Sequence, residues 1–92
     1  MHTIEHNGQT RRFTMPVQGH DCVLEYELDG QVMTITHTRV PDALAGQGLA
    51  GIITLHALEF ARGMQWQVVP RCSYVAAYIK RHPEHADLLH HH

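Results

Sequence analysis

No run of this sequence is apolar over the roughly 18–20 residues that a membrane-spanning helix needs, and its first residues, MHTIEHNGQTRRF, lack the basic-then-apolar shape of a secretion signal. A cytoplasmic location and no membrane partner are therefore expected. Positive charge is not in excess either. Seven Lys and Arg stand against nine Asp and Glu, a formal net charge of −2, and no basic stripe offers itself to a nucleic-acid backbone. An anionic ligand would have to be held by local backbone donors. Cysteine is scarce, and Cys22 and Cys72, in a chain without a secretion signal, read as free thiols. Disorder is excluded by 43% hydrophobic residues, and 92 residues leave room for one domain with a modest core.

Histidine is abundant, with ten copies. His90, His91 and His92 read as the remnant of a purification tag, which leaves residues 1–89 as the domain. The other seven are scattered. His82 and His85 with Cys72 lack further close ligands, and Pro83 breaks the helix that would align them, so no metal is expected.

Hydrophobic periodicity gives the elements. TIEHNGQTRRF reads as a hairpin turning at Asn7-Gly8. Cys22, Leu24, Tyr26 and Leu28 alternate with Glu25 and Glu27. Asp29-Gly30 turns the chain onto a strand carrying Val32, Met33, Ile35 and His37, and Pro41 ends it. From Gly48 the period becomes helical, with Leu49, Ile52, Ile53, His56, Ala57, Phe60 and Ala61 on one stripe and Gly63 as the stop. Leu55 and Leu58 fall off that stripe, which predicts cover on more than one side. WQVVP is a short buried strand anchored by Trp66; Ser73 is a plausible cap for a helix SYVAAYIKRH that Pro83 closes. Met33 and Met64 read as core filler, and the residues after Pro83 as a loosely attached tail. Four strands, a helix, a strand and a helix predict a mixed α/β sheet, an antiparallel meander joined to one parallel crossover, with five to six strands and two main helices.

The stretch VPDALAGQGLAG, Val40 to Gly51, sets glycines where a strand ends and the long helix begins. The first turn of a helix presents unpaired N–H groups and the positive end of its dipole. Glycines there admit a phosphate to the backbone. Gly46-Gln47-Gly48 is placed to supply those donors, with Ala45, Ala50 and Gly51 extending the small surface. The loop is not a Walker motif, because no Gly-Lys-Ser/Thr follows, and it lacks the third glycine and first-strand position of a dinucleotide fingerprint.

HTRVP at 37–41, LAGQGLA at 44–50, ALEFAR at 57–62, VPRCSYV at 69–75 and YIKRHPEHADLL at 78–89 together resemble the small YjdJ-type N-acetyltransferases of the GNAT superfamily. The resemblance covers nearly the whole chain from Leu24 onward. It implies a sheet whose fourth and fifth strands splay to admit the pantetheine arm of acetyl-CoA. It also implies a diphosphate on the loop of Val40, Ala45, Gly46, Gln47, Gly48, Leu49 and Ala50, with Ser73 and Arg81 as further ligand contacts. The chain departs from the superfamily in two ways. Ala43 and Ala45 stand where Gln or Arg is usual, so the amides act alone, and the helical segment that shapes the acceptor site in larger members is missing.

Acetyl transfer to an amine needs a base, donors for the developing oxyanion and an acid for the departing thiolate. The resemblance assigns the carbonyl to an amide near Val40. His37, which titrates near neutrality, is a candidate base, or else a sheet-end histidine bonded to backbone. Cys72, beside a helix start that favours thiolate, is a candidate site residue that accepts the acetyl group and passes it on or simply lines the pocket, or else a small core residue. The resemblance makes Tyr78 the candidate acid, with Tyr74 one turn earlier as the alternative; either is otherwise a core aromatic. Glu25 or Glu27 is a lesser candidate for an acceptor-side carboxylate. Two functions stand: an acetyl-CoA-dependent N-acetyltransferase acting on a small-molecule or protein amine, and a non-catalytic module binding coenzyme A or acyl-CoA. A monomer or a weak homodimer paired through an exposed edge strand is expected.

Overall fold

Alternation along the N-terminal half builds a meander. In the computed structural model, which describes residues 2–90, β1 (Glu5–Asn7), β2 (Arg12–Val17), β3 (His20–Asp29) and β4 (Val32–Arg39) pair antiparallel in chain order. Helix α1 (Leu49–Gly63) crosses back to β5 (Gln67–Pro70), which lies parallel to β4, and α2 (Ser73–Arg81) follows. The sheet is mixed and five-stranded, as the element order predicts. No helix among the described residues is long and apolar enough to cross a membrane.

One face of the sheet carries Phe13 and Met15 from β2, Cys22, Leu24 and Tyr26 from β3, Met33 and Ile35 from β4, and Val68 from β5, all buried. Both helices cover that face. The other face, with Arg12, Thr14, Glu25 and Glu27, carries no helix; Arg12 and Glu25 pair across it at 2.8 Å.

Several local expectations are corrected. Asn7-Gly8 is not a tight turn: the Asn7 Oδ1 accepts from the N–H groups of Gln9 and Thr10, and the left-handed residue is Arg11 (φ 56°). The connection from β2 to β3, Gln18-Gly19, has positive φ at both residues and matches a hairpin turn of the primed type. On α1 the buried positions are Leu49, Ile53, Thr54, Ala57, Leu58 and Ala61, whereas Ile52, Leu55 and His56 are exposed. Gly63 stays helical, and the left-handed residue beyond the helix is Gln65 (φ 60°). Met64 is 48% exposed and fills no core. Ser73 is the first helical residue of α2, and the capping position falls to Cys72, which makes no side-chain cap bond.

The largest correction concerns the end of the chain. A 3₁₀ segment, Pro83–Leu88, folds back onto α1 and α2, burying His85 and Leu88. Arg62 grips Asp87 through two bonds, at 2.7 and 3.0 Å. Leu89 bridges to Val68, and the His90 N–H donates to the Val68 carbonyl at 2.9 Å. The residues after Pro83 are docked structure. Of the expected tag, His90 makes this bond, and His91 and His92 lie outside the described residues.

Candidate functional site

Strands β4 and β5 pair only from Val32↔Gln67 to Ile35↔Pro70. Beyond that point β4 runs on to Arg39 while β5 gives way to α2, so the sheet forks. The last link before the fork is the Cys72 N–H, which donates to the Ile35 carbonyl at 2.9 Å. Across the fork the Cys72 thiol donates to the Thr38 hydroxyl at 3.7 Å.

A β-bulge decides what β4 presents there. Tyr26 pairs with Ile35 but Glu25 pairs with His37, leaving Thr36 as the extra residue. Alternation alone would put His37 in phase with Met33 and Ile35. The inserted Thr36 shifts the phase, so Thr38 shares the helix-covered face with Leu24, and His37 and Arg39 turn to the bare face. The Thr36 hydroxyl ties the bulge down by donating to the Glu25 carbonyl at 3.3 Å. His37 is exposed, with its Nδ1 3.2 Å from the Thr36 hydroxyl and Glu25 directly opposite.

After β4 the chain makes a short 3₁₀ turn, Asp42–Leu44, and enters the glycine loop. Gly46 and Gly48 take φ of 84° and 72°, the left-handed region that disfavours any side chain. Gly48 is the N-cap of α1, and the first intrahelical bond runs from the Ile52 N–H to the Gly48 carbonyl. The N–H groups from Gly46 to Gly51 have no backbone partner among the described residues. The loop 45–50 lines a crevice of about 210 Å³ together with Val40, Leu44 and Tyr74. A larger hollow, about 580 Å³, opens at the β1–β2 loop, away from the fork and the helix start.

Of the predicted ligand residues, Val40, Ala45, Gly46, Gln47, Gly48, Leu49 and Ala50 all line this crevice. Ser73 and Arg81 do not, and both are exposed on α2. Leu44 and Tyr74 line it without having been assigned to it. Tyr78 is only 8% exposed and packs behind Tyr74, between that ring at 6.3 Å and His82 at 4.3 Å. Burial, and then the neighbouring Tyr74, push its hydroxyl above the ordinary tyrosine range. The signal for Tyr74 was Gly51, a glycine one turn into a helix, which implies a close neighbour. The two cysteines are free, with Cys22 in the core, where burial raises its thiol.

The strand fork thus lies next to a helix start whose loop amides have no backbone partner among the described residues. The family described as GCN5-related N-acetyl-transferase matches residues 12–88. The chain belongs to that family. Similar proteins include Protein NATD1 of Gallus gallus, 36% identical over 83 residues that cover 87% of this chain and 76% of that protein. Protein NATD1 of Homo sapiens is also 36% identical, with 74% of its length covered. The NMR solution structure of a GCN5-like candidate N-acetyltransferase from Staphylococcus aureus superposes with a TM-score of 0.74. That match covers 98% of this chain and 92% of the other at 23% identity, and so bears on the fold.

The strands from β1 to β4 follow one another through short turns, so among the described residues no helix stands over the bare face. Ala43 and Ala45 are exposed, and no charged side chain lines the crevice. Glu25 is engaged by Arg12, and Glu27 is exposed on the same bare face. Among the described residues no group of three His, Cys, Asp or Glu is arranged to hold a metal ion.

Proposed function

We propose that this protein is an acetyl-CoA-dependent N-acetyltransferase that moves an acetyl group to an amine of a small molecule or a protein. The observation that carries the reading is the crevice of unpaired loop amides, whose lining residues Val40 and Tyr74 follow Thr38 and Cys72 at the fork of β4 and β5 by two positions each. A diphosphate held by the Gly46–Gly51 amides would direct a pantetheine arm along Val40 toward the gap between Thr38 and Cys72. Family membership supports the same ligand.

Each residue then has a chemical task. The N–H groups at the loop bind the diphosphate, and the Val40 amide polarises the thioester carbonyl. The amine attacks the carbonyl carbon, the C–S bond breaks, and the thiolate takes a proton. The acceptor approaches from the bare face, because the helices cover the other one, and His37 on that face removes the amine's proton directly or through one water. Cys72 lines the fork and supplies a proton to the departing thiolate; Tyr78, packed against Tyr74, is the alternative donor. The protein acts in the cytoplasm as a monomer or weak homodimer.

The crevice's lack of a cationic side chain favours a second reading, a non-catalytic module that binds coenzyme A or acyl-CoA. Calorimetric titration with acetyl-CoA, followed by a thiol-release assay against a panel of amines, separates the two. Binding with release supports the transferase. Binding without release under any amine supports the module, and no binding rejects both.

A further inference from the structure

The crevice at the start of α1 would receive a doubly charged diphosphate, yet only two of its lining residues, Gln47 and Tyr74, carry polar side chains, and neither is charged. Tyr74 is the sole contribution of α2 to that lining. Its hydroxyl has no hydrogen-bond partner among the described residues, in contrast to the Tyr26 hydroxyl, which His6 engages at 2.6 Å. The ring is half-buried and the hydroxyl leans over the first turn of α1. A Cβ on Gly51 would meet it at 3.3 Å, tighter than ordinary van der Waals contact, and would lie 3.7 Å from the Tyr78 ring.

Gly51 has no positive φ that would demand glycine. It sits inside a helix, where glycine is disfavoured relative to alanine. Its remaining use is the space it leaves. That space lets the Tyr74 hydroxyl reach the same turn whose amides are unpaired.

We propose that Tyr74 donates a hydrogen bond to the diphosphate of the bound coenzyme, standing in for a cation the crevice does not have, and that Gly51 is glycine in order to admit it. This rests on the acetyl-CoA reading above. Tyr74 is accordingly a binding and specificity residue, distinct from Tyr78, which is sequestered behind it.

The test is a cycle of Tyr74→Phe, Gly51→Ala and the double variant, each titrated calorimetrically with acetyl-CoA. S-acetylpantetheine, which lacks the diphosphate, is followed by chemical-shift titration to millimolar concentration. Tyr74→Phe is expected to weaken acetyl-CoA roughly 10-fold, in keeping with loss of a hydrogen bond to a charged group, and to leave S-acetylpantetheine unchanged. Gly51→Ala is expected to weaken acetyl-CoA in the wild-type background, with thermal stability equal or higher. It should add nothing in the Tyr74→Phe background. Equal affinity of wild type and Tyr74→Phe for acetyl-CoA overturns the proposal while leaving the coenzyme reading intact, as does an equal loss for both ligands. If wild type binds no acetyl-CoA, the coenzyme reading and this proposal fall together.

Discussion

The thiol of Cys72 and the hydroxyl of Thr38 face each other at 3.7 Å across the fork between β4 and the start of α2. They come from opposite sides of the gap, and the adjoining Cys72 N–H is the last main-chain tie before it opens. In the proposed mechanism the thioester lies beside this pair.

Cys72→Ala is therefore expected to lower kcat by roughly 10²-fold, the lower range for loss of a proton-transfer group, with acetyl-CoA affinity within about twofold. Steady-state kinetics with calorimetry checks this. Unchanged turnover removes Cys72 from the chemistry.

His37 lies on the bare face beyond the bulge, opposite Glu25. His37→Gln should leave acetyl-CoA affinity unaltered and lower turnover, which calorimetry and steady-state kinetics on the same preparation measure. Unchanged turnover would assign the base elsewhere.

Gly48 holds a φ of 72° at the N-cap of α1. Gly48→Ala should destabilise the fold by roughly 1–2 kcal/mol, the cost of left-handed backbone for a residue with a Cβ, and weaken acetyl-CoA as well. Urea unfolding and calorimetry on the same preparation measure both effects.

His6 stacks on Phe13 and meets Phe60 at a tilt, with ring centroids 4.4 Å away in each case, and contacts the Tyr26 hydroxyl. Burial, and secondarily His56, push its pKa below the ordinary 6.5. The fold thus prefers neutral His6. Its contribution is present above pH 6.5 and is lost as pH falls through that value and the lower folded-state one. Thermal melts between pH 8 and 5 should show a decline that His6→Phe reduces.

Leu88 is buried in the docked C-terminal segment. Leu88→Ala should cost about 2–4 kcal/mol, the range for an apolar deletion in a core. A loss near zero by chemical denaturation would mean that the segment contributes little to the fold.

The sheet and the loop were legible because each rests on a local rule. Period-two alternation marks the strands around Leu24 and Met33, and glycines at a strand-to-helix junction mark an amide-lined pocket. The misplacements have equally local causes. Thr36 carries no mark of being a supernumerary residue, yet it reverses the facing of His37. Segment 83–88 has no helical or strand period, and its docking depends on tertiary partners: Arg62 for Asp87 and the α1–α2 groove for His85 and Leu88. Tyr74 and Tyr78 are one helical turn apart with the same chemistry. What separates them is Gly51 on another helix, a relation that no single-segment pattern contains.

Among the described residues both helices lie on one side of the sheet, and no element shields the other. If the thioester lies in the fork, bulk water has the same approach to its carbonyl as any amine. Under that reading slow deacylation of the donor would accompany transfer, and selectivity among acceptors would fall to the charges on the naked strands.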